Sequence, residues 1–183
     1  MKKIYFYLLA LFTFQVHAQT YTHTETFDNA VFDSSSNNSW GSYGFTSPNG
    51  PVFYYEMARN ASPNYPISGK GIHLRYSQAS FIEITFPDGL KDIYFEYRKA
   101  SAESYREKNI EVLLVANDNS TTLLGVTPTF GATNTLDATV HNFSITDINR
   151  VGSVKIKIKN IGSDTSLRDF VIDNLKWNEY NTA

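Results

Sequence analysis

Residues 69–99 alternate apolar and polar positions three times over. Ile72 and Leu74 alternate with His73 and Arg75; Ile82, Ile84 and Phe86 with Glu83 and Thr85; Ile93, Phe95 and Tyr97 with Tyr94, Glu96 and Arg98. A period of two puts one set of side chains on each face of a half-buried strand. Pro87-Asp88-Gly89 separates the second run from the third; proline fixes φ and glycine supplies a positive one, which makes a turn. The pattern predicts an antiparallel meander. Further strands are expected at 20–27, 51–57, 109–117, 121–126, 138–145, 151–160 and 170–177. The segments 28–50, 60–68 and 127–135 read as loops, and the polar 100–108 as a loop or one helical turn. Some ten short strands without a helix longer than a turn predict an all-β chain, a two-sheet antiparallel β-sandwich of the jelly-roll kind.

The N-terminus is patterned differently. Lys2 and Lys3 precede an apolar run over 4–16, broken by Thr13 and Gln15, and Val16-His17-Ala18 ends in a small residue suited to signal peptidase. The run falls short of the ~20 apolar residues of a spanning helix. Residues 1–19 are therefore expected to be a cleaved signal peptide, and 20–183 a single β-sandwich domain that is secreted, extracellular or periplasmic, with no membrane span after cleavage. Of 16 basic residues two lie in the leader, leaving 14 against 18 acidic ones, a formal charge of −4. That balance argues for no nucleic-acid partner. Cysteine is absent, which excludes disulfides, thiol catalysis and cysteine-ligated zinc, and leaves the core, with a metal ion as a possible aid, to hold an exported fold.

The two ends of the chain, TETFDN at 24–29 and VIDNLKW at 171–177, resemble the ends of secreted jelly-roll modules. These are the galactose-binding-like carbohydrate-binding modules and the related meprin-type adhesion domains. Segments 67–74, 95–100, 111–113 and 156–162 resemble a module found in exported Bacteroidetes proteins. The resemblance implies that the first and last strands lie side by side. It also implies a structural calcium ion between them, with Glu25 and Asp173 at the matching positions and Asp28 available to the shell. Calcium takes six to eight oxygen ligands, so backbone carbonyls would have to contribute. The alternative is that Asp173 pairs with a lysine or caps a turn.

No catalytic set is complete. Asp92 and Glu96 share a strand face, but i and i+4 lie ~13 Å apart along a strand, too far for the ~5 Å carboxylate pair of a retaining glycosidase. His23, His73 and His141 lack ligand spacing, and no G-x-S-x-G elbow or phosphate loop occurs. The rival enzymatic reading is a jelly-roll polysaccharide lyase drawing on His73, Arg75, Tyr94 and Arg98. The lysine row Lys155, Lys157 and Lys159 reads as a solvated face or a protected edge. Aromatics make up 15% of the chain, and loops 37–45 and 60–67 mix them with Asn and Ser. Trp40, Tyr43, Tyr54, Tyr55 and Tyr65 are accordingly the expected ligand-binding residues, unless they tuck beneath their loops as a satellite core. The reading favoured by the sequence is a non-catalytic binding or adhesion module whose partner is a polysaccharide or glycoconjugate, or else a surface protein. A purely structural matrix role is the third option.

Overall fold

The computed structural model describes residues 19–28, 40–61, 67–75, 80–101, 107–132, 137, 139–161 and 169–181. Residues 1–18 of the expected leader, the serine-rich heart of segment 28–50 and Tyr65 lie outside these. The described residues form eleven strands and no helix. In chain order these are β1 (His23–Glu25), β2 (Gly41–Thr46), β3 (Val52–Ala61), β4 (Gly71–Leu74), β5 (Phe81–Phe86) and β6 (Asp92–Lys99). They continue with β7 (Asn109–Val115), β8 (Thr121–Val126), β9 (His141–Ile145), β10 (Val154–Ile161) and β11 (Phe170–Asn178). All pairings are antiparallel.

The strand path runs β8-β7-β10-β5-β3-β4-β11-β6-β9, with β1 beside β11 and β2 beside β3. It folds over at β3. Val52 to Glu56 pair with β5, whereas Ala58 to Ala61 pair with β4. The change falls at Met57, whose φ of 49° leaves the strand region; the Met57 carbonyl accepts from the Arg75 amide (3.2 Å) and the Ser80 hydroxyl (3.2 Å). One long strand thus serves both layers, and the all-β two-sheet jelly roll is what forms. The first sheet carries β5, β10, β7 and β8; the second carries β4, β11, β6, β9 and β1.

Inward residues of both sheets make one core. Ile82, Ile84 and Phe86 of β5, Ile156 and Ile158 of β10, Ile93 and Phe95 of β6, and Ile172, Leu175 and Trp177 of β11 are all buried. Phe86 meets Trp177 across the layers at 5.7 Å between ring centroids.

The predicted meander is corrected. β4, β5 and β6 are strands, and Gly89 takes the turn conformation (φ 86°), but none of the three pairs with another. β4 lies between β3 and β11, β5 between β3 and β10, β6 between β11 and β9. The Pro87 turn carries the chain from one layer to the other. Alternation specifies which residues face the core, not which strand lies alongside. Segment 28–50 holds β2, which a loop reading missed because its small residues hide a period of two. The lysine row lies on the interior strand β10, not on an edge. Lys155 and Lys157 both reach Glu83 (3.1 and 3.2 Å), and Lys159 reaches Glu111 (3.0 Å).

Candidate ligand-binding face

Among the described residues, the outer face of the second sheet gathers a cluster of polar and aromatic side chains. On β6, Tyr94, Glu96 and Arg98 point away from the core because Ile93, Phe95 and Tyr97 fill it. Register places three rows across this face. Arg59, His73, Val171 and Arg98 form the first; Asp173, Glu96 and Asn142 the second; Thr24, Lys176, Tyr94 and Ser144 the third. Between the last two rows the β11 register shifts at Asn174, a left-handed residue (φ 49°).

The third row is the open part. The Tyr94 hydroxyl donates to Glu96 Oε1 (3.1 Å), and Asn174 Nδ2 donates to Glu96 Oε2 (2.8 Å). Tyr21 packs against the Tyr94 ring at 5.6 Å, and Lys176 Nζ stands 5.1 Å from that ring's centroid. Burial first, then the Glu96 charge, push the Tyr94 phenol up to about 12. Asn142 and Ser144 are exposed alongside.

The middle row holds carboxylates. Asp173 is fully buried; its Oδ1 accepts from the Asn174 amide (2.7 Å) and its Oδ2 from the Ser68 amide (3.0 Å). The same turn offers the Lys70 amide to Asp28 Oδ1 (2.8 Å). Gly69, at φ 66°, sits so close to the Asp28 carboxylate that a Cβ there would collide with it. Burial chiefly, with Asp28 and Glu96 adding like charge, raises Asp173 to about 7. Two carboxylates drawn to one turn in low dielectric suit a hard cation, so Asp28 and Asp173 fit calcium chemistry. Glu25 is engaged elsewhere. It accepts from the Phe27 amide (2.8 Å) and the Ser47 hydroxyl (2.5 Å), beside a depression of about 290 Å³ lined by Thr24, Thr26, Phe45, Thr46, Pro48 and Asn49. Among the described residues no three His, Asp or Glu side chains surround a metal-sized site, so further oxygens would have to come from the backbone.

The first row is capped by Trp40, which lies against His73 (4.7 Å between centroids, 74° between planes) and under the Arg59 guanidinium (4.3 Å). Arg59 Nε donates to His73 Nδ1 (3.2 Å), which leaves the imidazole proton on Nε2, 3.5 Å from Asp169 Oδ2. Burial drives the His73 pKa below its ordinary value, against the pull of Asp169.

The four described residues among the expected ligand-binding set do not make one platform. Trp40 belongs to this face. Tyr54 is 43% exposed on the outer face of the opposite sheet, bonded to Glu56 (2.7 Å). Tyr55, next in sequence, is fully buried and presents no surface to a ligand; a strand sends neighbours to opposite faces. Tyr43 lies inward against Tyr55 (5.8 Å). Glu96, Asn174, Lys176 and Tyr21 are not among the ligand contacts that the sequence predicts. The alternation of β6 does put Tyr94 and Glu96 on one face, but the β11 residues beside them follow only from register.

No family model matches the chain, and no curated protein matches its sequence. Solved structures do. The K2 cleaved adhesin domain of Lys-gingipain is similar at 10% identity with a TM-score of 0.52, over 85% of this chain and 98% of that one. The K3 cleaved adhesin domain of Lys-gingipain from Porphyromonas gingivalis W83 is similar at 12% identity and 0.51, over 86% and 97%. The CBM22-1 xylan-binding domain of Xyn10C from Paenibacillus barcinonensis is similar at 8% identity and 0.51, over 91% and 98%. The chain has the jelly-roll fold that these adhesin and carbohydrate-binding modules share.

Proposed function

We propose that this chain is an exported, non-catalytic module that binds a glycan along the outer face of its second sheet. The observation that carries the reading is the third row. The half-buried Tyr94 ring is flanked by Glu96, Asn174 and Lys176, which together offer an apolar ring face beside acceptors and donors for sugar hydroxyls. The shared fold with adhesin and xylan-binding modules supports a binding role in general. Lyase chemistry is disfavoured by the geometry. His73 Nδ1 already accepts a hydrogen bond from Arg59 Nε and its Nε2 carries the proton, while Tyr94 stays protonated at neutral pH, so neither supplies a base. Calcium, held by Asp28 and Asp173, belongs to the same proposal. It would neutralise their charge and tie the Ser68–Lys70 turn to β11.

The test is binding of soluble polysaccharides by calorimetry with wild type and Tyr94→Ala. Loss of a stacking and hydrogen-bonding residue should weaken binding at least about tenfold, the equivalent of ~1.4 kcal/mol. Equal affinity in both proteins, or none for any polysaccharide, would remove the reading.

A further inference from the structure

Among the described residues, β1 pairs with β11 alone. Along its other edge stands the turn between β2 and β3, where Pro48-Asn49-Gly50 reverses the chain. Two side chains tie this turn to β1. Asn49 Nδ2 donates to the Thr24 carbonyl (2.9 Å), and the Ser47 hydroxyl donates to Glu25 Oε2 (2.5 Å). A turn does not fill the length of a strand, and the space left is the cavity of about 290 Å³ between 24–26 and 45–49. Both walls are described. Glu25 lines the cavity and is only 8% exposed. Its carboxylate is held by neutral donors, the Phe27 amide and the Ser47 hydroxyl, and no lysine, arginine or histidine pairs with it among the described residues. Neutral hydrogen bonds offset only part of the cost of taking a carboxylate out of water, and buried carboxylates ordinarily have a cation as partner.

We propose that this cavity is a subsite for an ammonium group, the protonated amine of an unacetylated amino sugar, with Glu25 as its counter-ion. On the glycan reading, on which this rests, the sugar belongs to a chain lying along the third row. That row runs from Tyr94 through Lys176 to Thr24, and Thr24 also lines the cavity. Two strand spacings, ~10 Å, separate Tyr94 from Thr24, within reach of one oligosaccharide. An ammonium has three donors and no acceptor. Glu25 supplies one acceptor, and Asn49, whose nitrogen is committed to Thr24, supplies Oδ1 as another; the Thr24 and Thr26 hydroxyls stand beside them. Phe45 and Pro48 give the carbon skeleton an apolar wall. A calcium ion would instead ask for six to eight oxygens, which a wall of this composition suits poorly. The volume is at the small end for ligand pockets and matches one sugar residue. Lys176, the cation nearest in register, has its Nζ drawn to the Tyr94 ring (5.1 Å).

The experiment compares β-1,4-linked hexamers of glucosamine, N-acetylglucosamine and glucose, which differ only in amine, acetamide or hydroxyl at one carbon. Calorimetry is run at about pH 6, where an amine is protonated. The proteins are wild type, Glu25→Gln, Asn49→Ala and Glu111→Gln, the last removing a carboxylate from the opposite sheet. The expected result is the glucosamine hexamer bound at least about tenfold tighter than the other two. That preference should be lost in Glu25→Gln, reduced in Asn49→Ala and unchanged in Glu111→Gln. Should Glu25→Gln melt well below wild type, the exposed Asn49→Ala decides, and an unchanged preference there overturns the subsite. Equal binding of all three hexamers, with Tyr94→Ala still damaging, would sink the subsite and leave the glycan reading standing. A preference reduced as much by Glu111→Gln would make it diffuse charge. Stabilisation by calcium that Glu25→Gln abolishes would assign the carboxylate to a metal and overturn the amine. Should no glycan bind, both readings fall together.

Discussion

Asp173 sits at 0% exposure with an Asp28 carboxylate on the same turn and Glu96 opposite, and its pKa rises to about 7. In the unfolded chain it returns to its ordinary 3.8. Between those two values the folded state holds a proton that the unfolded chain has lost. This group's contribution to stability is therefore complete below about pH 4 and is lost as pH rises through about 7. Asp173→Asn should remove that dependence, giving a melting temperature less sensitive to pH between 5 and 8 than wild type in the presence of chelator. A cation bound by Asp28 and Asp173 would oppose the loss. Calcium should raise the wild-type melting temperature at pH 8 more than at pH 5, and should leave Asp173→Asn unaffected. An identical response of both proteins to calcium would remove the cation proposal.

Single elements carry their own consequences. Gly89 ends the turn between β5 and β6 at φ 86°, and a Cβ there would come within 2.5 Å of the Tyr180 carbonyl oxygen and 2.7 Å of that of Arg150. Backbone cannot yield as a flexible side chain can. Gly89→Ala should cost more than ~1 kcal/mol, seen as a lower denaturant midpoint with an unchanged slope. At Met57, where β3 passes between layers, φ is 49°. A β-branched residue tolerates that region poorly, so Met57→Val should destabilise by ~1–3 kcal/mol while Met57→Gly should not. Lys155, Lys157 and Lys159 pair on a solvated face, where such bridges are worth ~0.2–1 kcal/mol each, so moderate salt should shift the melting temperature little.

Across the molecule, stability rests on the shared core. Trp177 is 1% exposed, packs against Phe86 of the other sheet and stacks on His23 at 5.3 Å. Trp177→Ala opens a cavity on the interlayer contact and should cost ~3–5 kcal/mol, read from chemical denaturation. Because the chain has no cysteine, reducing agent should leave the melt unchanged. Terminal tethering adds to the core: Asn178 bonds the Thr22 amide (2.9 Å) and the Thr20 carbonyl (3.0 Å), and Asp92 accepts from Asn178 Nδ2 (3.3 Å).

Much of the architecture could be read without coordinates. Alternation in 69–99 and 151–160 located strands and their inward faces, because burying one side of a pleated strand leaves a period of two in the residue types. The flanking TETFDN and VIDNLKW segments pointed to β1 beside β11, and that pairing is observed. Partner choice was not legible, since an alternating strand satisfies any neighbour that buries the same face; β4, β5 and β6 therefore read as a meander and instead divide between two sheets. The candidate site was half legible for the same reason. Local period put Tyr94, Glu96 and Arg98 on one face, and equally shows why Tyr54 and Tyr55 cannot share one. Only the tertiary structure could set Asn174 and Lys176 beside Tyr94, or bring Trp40, Arg59, His73, Arg75 and Asp169 together. Those contacts join residues far apart in sequence, and what decides them is sheet register and the fold-over at Met57, neither of which any single segment encodes.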